Sequence, residues 1–184
     1  MNIFYIDTDP VKSANFHCDA HLRKMIIEYA QIMCVAHWNS DDESDLERAV
    51  RNNLYRPVHQ KHPSTIWVGH HPMAYSYTFS MWDELHKIYI NRYGKQHASF
   101  RLRETIVNLP QPLIEKLKNC VDNPWYSPPP MCFGKDYEHI KEGVDPTSHE
   151  AVVNAYREYY RQGKSRFASW GGDRSLPRWW LQVA

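Results

Sequence analysis

A mainly α fold, a compact single-domain helical bundle with a short N-terminal extended segment and a long Pro-rich loop, is predicted by three features of this 184-residue chain. An apolar run of helix length extends from Cys18 to Cys34, aromatic residues recur at helical spacing from Ala74 to Tyr93, and capping signals bracket the shorter segments. The parts read as a helical core over 1–108, a Pro-rich loop region over 109–146, and a basic, aromatic helix and tail over 147–184.

Taken in order, Ile3-Phe4-Tyr5-Ile6 is short, apolar and extended or strand-like. Asp9 before Pro10 opens a short helix to about Phe16, the aspartate as cap and the proline at the first helical position. The main helix follows, with Asp19 expected to cap it. The acidic stretch Asn39–Asp45 reads as a surface loop before a modest helix to Leu54. Tyr55–His62 is a polar loop, and Pro63 starts the helix it feeds. Tyr75, Phe79, Trp82, Leu85, Tyr89 and Tyr93 then mark the longest helix, about Ala74 to Tyr93, which Gly94 stops. Another helix is expected over about Ser99–Asn108. Prolines at 110, 112, 124 and 128–130 predict a long irregular segment laid over the body. Thr147-x-x-Glu150 reads as a capping box for a helix Glu150–Gln162 closed by Gly163.

The main helix is apolar on nearly every face, yet His21, Lys24, Glu28 and Gln31 recur at spacings of three, four and three and so form one polar stripe. Burying such a stripe costs several kcal/mol unless its members pair, and a catalytic cleft is where chains retain that cost. The other reading is an i,i+4 Lys24–Glu28 ion pair on a helix surface, with His21 and Gln31 bonded to neighbouring elements.

The net charge of +1 hides an asymmetry. Residues 151–184 hold six Lys/Arg against two Asp/Glu, and the rest of the chain holds 16 against 19. In the basic end, Arg157, Arg161 and Lys164 line one helix face, followed by Arg166, Phe167 and Trp170. Cations interleaved with flat rings suit nucleic acid; the same composition also fits core aromatics with a solvated basic rim. The loop around Lys61 and His62, held by the helix that carries Trp67, is placed to touch substrate or to serve as a plain connector.

Other classes find no support in the residues. Cys18, Cys34, Cys120 and Cys132 are irregularly spaced, so no disulfide framework is expected. Cys18-x-x-His21 and His59-x-x-His62 lack a second ligand pair, so no metal is assigned. The absence of a P-loop and of G-x-G-x-x-G leaves no cofactor expected. No apolar run approaches transmembrane length, and the N-terminus has neither a basic region nor a cleavage site, so a cytoplasmic protein without membrane contact is expected, as a monomer.

Asp7-Thr8-Asp9-Pro10, Cys18-Asp19-x-His21-x-x-Lys24-Met25-x-x-Glu28-x-Ala30-Gln31, His62-Pro63-x-x-x-Trp67, Arg92-Tyr93-Gly94-Lys95-x-His97 and Tyr156-Arg157-x-Tyr159-Tyr160-x-x-x-Lys164-x-x-Phe167-Ala168-x-Trp170 together resemble a small phage and bacterial family. That family is similar to pyrimidine-dimer DNA glycosylases of the endonuclease V type, and some relatives look like glycosylases for modified pyrimidines in phage DNA. Asp19-Ala20-His21-Leu22 and Glu28-Tyr29 resemble a helical segment that packs under the DNA in those enzymes. The resemblance implies excision of a damaged or modified pyrimidine, such as hydroxymethylated or glucosylated hydroxymethylcytosine, from double-stranded DNA with the target nucleotide flipped out.

In that reading Glu28 stabilises the sugar cation, with His21, Lys24 and Asp19 beside it. Gln31, Asp9, His62 and Trp67 form the base pocket, while Lys61, Arg157, Arg161, Lys164, Arg166 and Trp170 hold DNA. Trp67 or Trp170 would wedge into the stack. The resembling enzymes attack with the amine of a small residue exposed by methionine removal. Asn2 is too large for that processing, so Lys24 or a carboxylate-activated water is expected to substitute. The alternatives are a phage-type nucleotide- or base-modifying enzyme and a non-catalytic DNA-binding protein.

Overall fold

The computed structural model describes residues 1–39, 50–119, 127–172 and 174–181. It is mainly α, with no strand among the described residues. The helices are α1 (Pro10–Phe16), α2 (Asp19–Trp38), α3 (Pro63–His70), α4 (Pro72–Tyr93), α5 (Arg103–Ile106), α6 (Gln111–Asn119), α7 (His149–Lys164) and α8 (Arg178–Leu181). Two 3₁₀ segments, Ala98–Leu102 and Lys135–Lys141, lie between them.

α2 packs against α3 and α4, and α1 crosses α4. The seam is filled by Leu22, Met25, Ile26, Tyr29 and Met33 of α2 with Tyr75, Met81, Trp82 and Leu85 of α4, all essentially out of water. Trp82 Nε1 donates to the Ile26 carbonyl at 2.9 Å, a bond inside the seam that fixes the relative height of the two helices.

Residues 2–6 thread through the interior, every side chain buried. An extended segment without a partner strand must satisfy its backbone in another way. Here side chains do so. The Tyr29 hydroxyl accepts from Phe4 N, and Ser13 Oγ accepts from Ile6 N and donates to Phe4 O. Asn2 is clamped by its own side chain, which donates to Cys132 O and accepts from the Tyr156 hydroxyl. The apolar run Ile3–Ile6 is therefore extended core chain and belongs to no sheet.

Several sequence expectations shift. Asp9 does cap α1, accepting from Val11 N and Lys12 N. Cys18 occupies the cap position of α2, and Asp19 is its first residue. α2 runs on to Trp38 because Val35, Ala36 and His37 still have core to face. Gly94 stops α4 in the left-handed region, φ 66°, where a residue without Cβ carries no steric cost. The helix expected over Ser99–Asn108 is a 3₁₀ turn followed by the short α5.

The described parts of the Pro-rich region hold two helical segments: Pro112 sits in the first turn of α6, and Lys135–Lys141 forms a 3₁₀ segment. Ser148, not Thr147, caps α7, because the Thr147 hydroxyl is held by Asp145. Gly163 does not end α7, which continues to Lys164. The modest helix before Leu54 is seen over 50–53; most of the acidic stretch and Cys120 lie outside the described residues. Cys18, Cys34 and Cys132 are free thiols.

Candidate functional site

Glu28 joins the sequence stripe to the start of the chain. Its carboxylate is 16% exposed and lies 3.3 Å from Lys24 Nζ, one turn back on α2, and 3.9 Å from the amino group of Met1. The Met1 side chain is buried, with Thr65 Oγ1 donating to its sulfur. Clamping Asn2 in the core is what brings the Met1 amine to α2. An α-amine, that of Met1 and not that of residue 2, thus lies against Glu28, and the favoured Lys24 amine faces the same carboxylate.

His62 closes the other side. It caps α3 with Nδ1 accepting from Ser64 N, which leaves Nε2 as the protonated nitrogen of the neutral ring. Burial lowers its pKa, as do the Met1 amine and His59, whereas Glu28 pulls it up, so the four groups share one electrostatic neighbourhood. His59 adopts a left-handed backbone at φ 50° and accepts from His62 N, a tight turn that presents this edge. Gln31 follows Glu28 by one turn and is half-buried; Lys61 is exposed beside His62.

Lys24 is 67% exposed, so it is a cation at the mouth of the site. His21, by contrast, is closed off. Its ring is 5% exposed and stacks on Phe4 with centroids 4.3 Å apart, while Nδ1 meets the Tyr160 hydroxyl at 2.6 Å. Tyr160 accepts from Cys18 N, so its proton goes to His21. Burial first, then the positive charges nearby, push the His21 pKa down to about 2. A ring held neutral to that depth supports the stripe from beneath; it is not placed to exchange protons with a substrate.

Asp19 has a different task. Nine residues from Glu28, it lies about half a turn around α2, on the opposite face. Its carboxylate is gripped by Arg174, by the Gly171 amide at 2.9 Å and by Arg92 at 3.6 Å. These donors hold it below the usual carboxylate range, against the opposing effect of burial. A Cβ at Gly171 would run into the Arg92 guanidinium, which explains a glycine there. Asp19 therefore clasps the C-terminal segment to α2. Arg92 and Arg174 were absent from the expected site because only the folded chain shows them converging on one carboxylate.

The remaining expected residues divide by geometry. Asp9 is committed to capping. Trp67 and Trp170 are buried, their indole nitrogens donating to Ser127 O and Phe16 O, and neither can enter a base stack. Arg157 donates to Ile6 O and pairs with Asp7 at 3.1 Å; Arg161 donates to Trp179 O and pairs with Glu158. Both tie α7 to the rest of the chain, since carbonyls and carboxylates with so little water need fixed cations. Lys164 lies 4.5 Å from the Tyr159 ring centre, and Arg166 is exposed.

A cavity of about 640 Å³ lies over Phe16, Arg157, Arg174, Pro177 and Trp179, and none of Lys24, Glu28 and His62 lines it. Among the described residues no group of three or more His, Cys, Asp or Glu could hold a metal, and no helix is long and apolar enough to cross a membrane. No family model, curated protein or solved structure matches the chain.

Proposed function

We propose that the chain is a DNA glycosylase that removes a damaged or modified pyrimidine and leaves an abasic site. The observation that carries this reading is Glu28, a shielded carboxylate flanked by the Met1 amine and Lys24 Nζ with His62 at its side. Breaking the C1′–N1 bond sends the bonding pair into the pyrimidine and leaves positive charge on the sugar, and a fixed carboxylate stabilises that charge. The departing base takes a proton, for which the Lys24 ammonium is the exposed donor. Water then adds to C1′ and gives its proton to Glu28. If an uncharged amine adds to C1′ instead, a proton passes from its nitrogen to the ring oxygen as the C1′–O4′ bond breaks and a Schiff base forms, and the two amines that flank Glu28 are the candidates for it. The residues impose no preference for a particular base; the modified cytosines of phage DNA follow from the resemblance alone.

A second reading draws on a specific observation: with Arg157 and Arg161 engaged inside the molecule, the cationic face of α7 is smaller than its sequence suggests, which favours a free nucleotide as substrate. One experiment separates the two. Duplex DNAs carrying defined pyrimidine modifications, and the matching mononucleotides, are incubated with the protein and released bases are measured by mass spectrometry. The glycosylase reading expects free base and alkali-labile sites from at least one duplex. Release from mononucleotides alone supports the second reading, and release from neither overturns both.

A further inference from the structure

Among the described residues, aromatic rings are buried or half-buried with one exception. Phe167 is 41% exposed and is the only Phe, Tyr or Trp classed as exposed among the described residues. It sits in the turn that leaves α7, its amide bonded to Lys164 O. Its ring packs edge-on against His21, 5.7 Å between centroids, so it stands over the polar stripe of α2. From His21 to Glu28 is seven residues, about two turns on the same face and about 10 Å along the axis.

The surroundings of this ring are cationic. Lys164 bonds the Phe167 amide through its carbonyl, exposed Arg166 precedes the ring, and exposed Lys24 follows His21 by one turn of α2. A protruding apolar ring between cations, a short step from a shielded carboxylate, has the composition of a side chain that enters a base stack while its neighbours hold the flanking phosphates. We infer that Phe167 is the wedge that fills the duplex where the target nucleotide has swung out toward Glu28, with Lys164 and Arg166 on the adjoining phosphates. This rests on the glycosylase reading, and it assigns to Phe167 the part that buried Trp67 and Trp170 cannot play.

The test uses the full chain and a duplex carrying one tetrahydrofuran abasic analogue opposite 2-aminopurine, with the intact duplex as reference. The wild type and Glu28→Gln are expected to bind the abasic duplex in preference and to change the 2-aminopurine emission. Phe167→Ala, its fold checked by circular dichroism, should bind the intact duplex as before and lose the preference by about tenfold, the size of one aromatic–base stack. Phe167→Trp should restore it. If Phe167→Ala keeps both preference and emission change, or weakens binding to both duplexes equally, the wedge is overturned and the glycosylase reading stands. Should the wild type bind neither duplex, both fall; should it bind them equally, without an emission change, the wedge alone falls.

Discussion

Lowering the pH from 7 to 5.5 should strip the fold of much of its stability through four buried histidines. Burial holds His17, His37 and His86 neutral with pKa values of about 4, and His21 with one of about 2. All four have partners suited to the uncharged ring, such as the Tyr29 hydroxyl on His17 Nε2 at 2.7 Å and the Tyr75 hydroxyl on His37 Nε2 at 2.9 Å. Once unfolded, each histidine titrates near 6.5. Between 6.5 and 4 the unfolded chain therefore binds more protons than the folded one, and stability falls as pH falls.

From pH 7 to 5.5 the loss is about 1.3 kcal/mol per histidine and about 5 kcal/mol for the four, as large as the whole stability of a marginal domain. Urea unfolding followed by tryptophan fluorescence at the two pH values measures it. His37→Leu should cut the pH dependence by about a quarter. Equal or greater stability at pH 5.5 would refute the burial argument, and with it the assignment of His21 as a closed support beneath the site.

Three further outcomes follow from the same contacts. Asp19→Asn should weaken the grip on Arg174 and Gly171, so that proteolysis near residues 169–174 speeds up at least tenfold while the amide exchange of α4 is unchanged. Arg166→Ala should lower the salt slope of DNA binding by about one unit, whereas Arg157→Ala should leave the slope alone and cost about 1–3 kcal/mol in urea unfolding, because its guanidinium serves Ile6 O and Asp7. Borohydride trapping on cleavable DNA should give a covalent adduct that is lost either in Lys24→Ala or on acetylation of the Met1 amine; an adduct surviving both changes would place the nucleophile elsewhere.

Periodicity and caps made the bundle readable. The Asp9-Pro10 start, the aromatic stripe of α4 and the Gly94 stop are local signals, and local geometry decides them. What escaped depends on distant partners. No spacing rule shows that Ser13, Tyr29 and Tyr156 satisfy the backbone and Asn2 of a buried extended segment, so Ile3–Ile6 could not be told from a strand. The stripe itself was legible, but its members part company in space. Glu28 and Lys24 reach the surface, whereas His21, two turns before Glu28, lies under Phe4 and Tyr160. Arg157 and Arg161 read as phosphate ligands because a cation bonded to a carbonyl has no sequence signature. Burial of Asn2 brought the Met1 amine back to Glu28, a contact that reasoning about methionine removal does not address.

Single-turnover base release by Glu28→Gln tests the central claim most directly. The substitution keeps the shape and removes one charge. A sugar cation about 4 Å from the carboxylate gains about 4 kcal/mol at an effective dielectric constant of 20, reduced by the two amines that already face Glu28. The account therefore predicts a fall of about 10²-fold or more in the release rate, with the circular dichroism spectrum and DNA affinity retained. Release at the wild-type rate by a folded Glu28→Gln protein would contradict it.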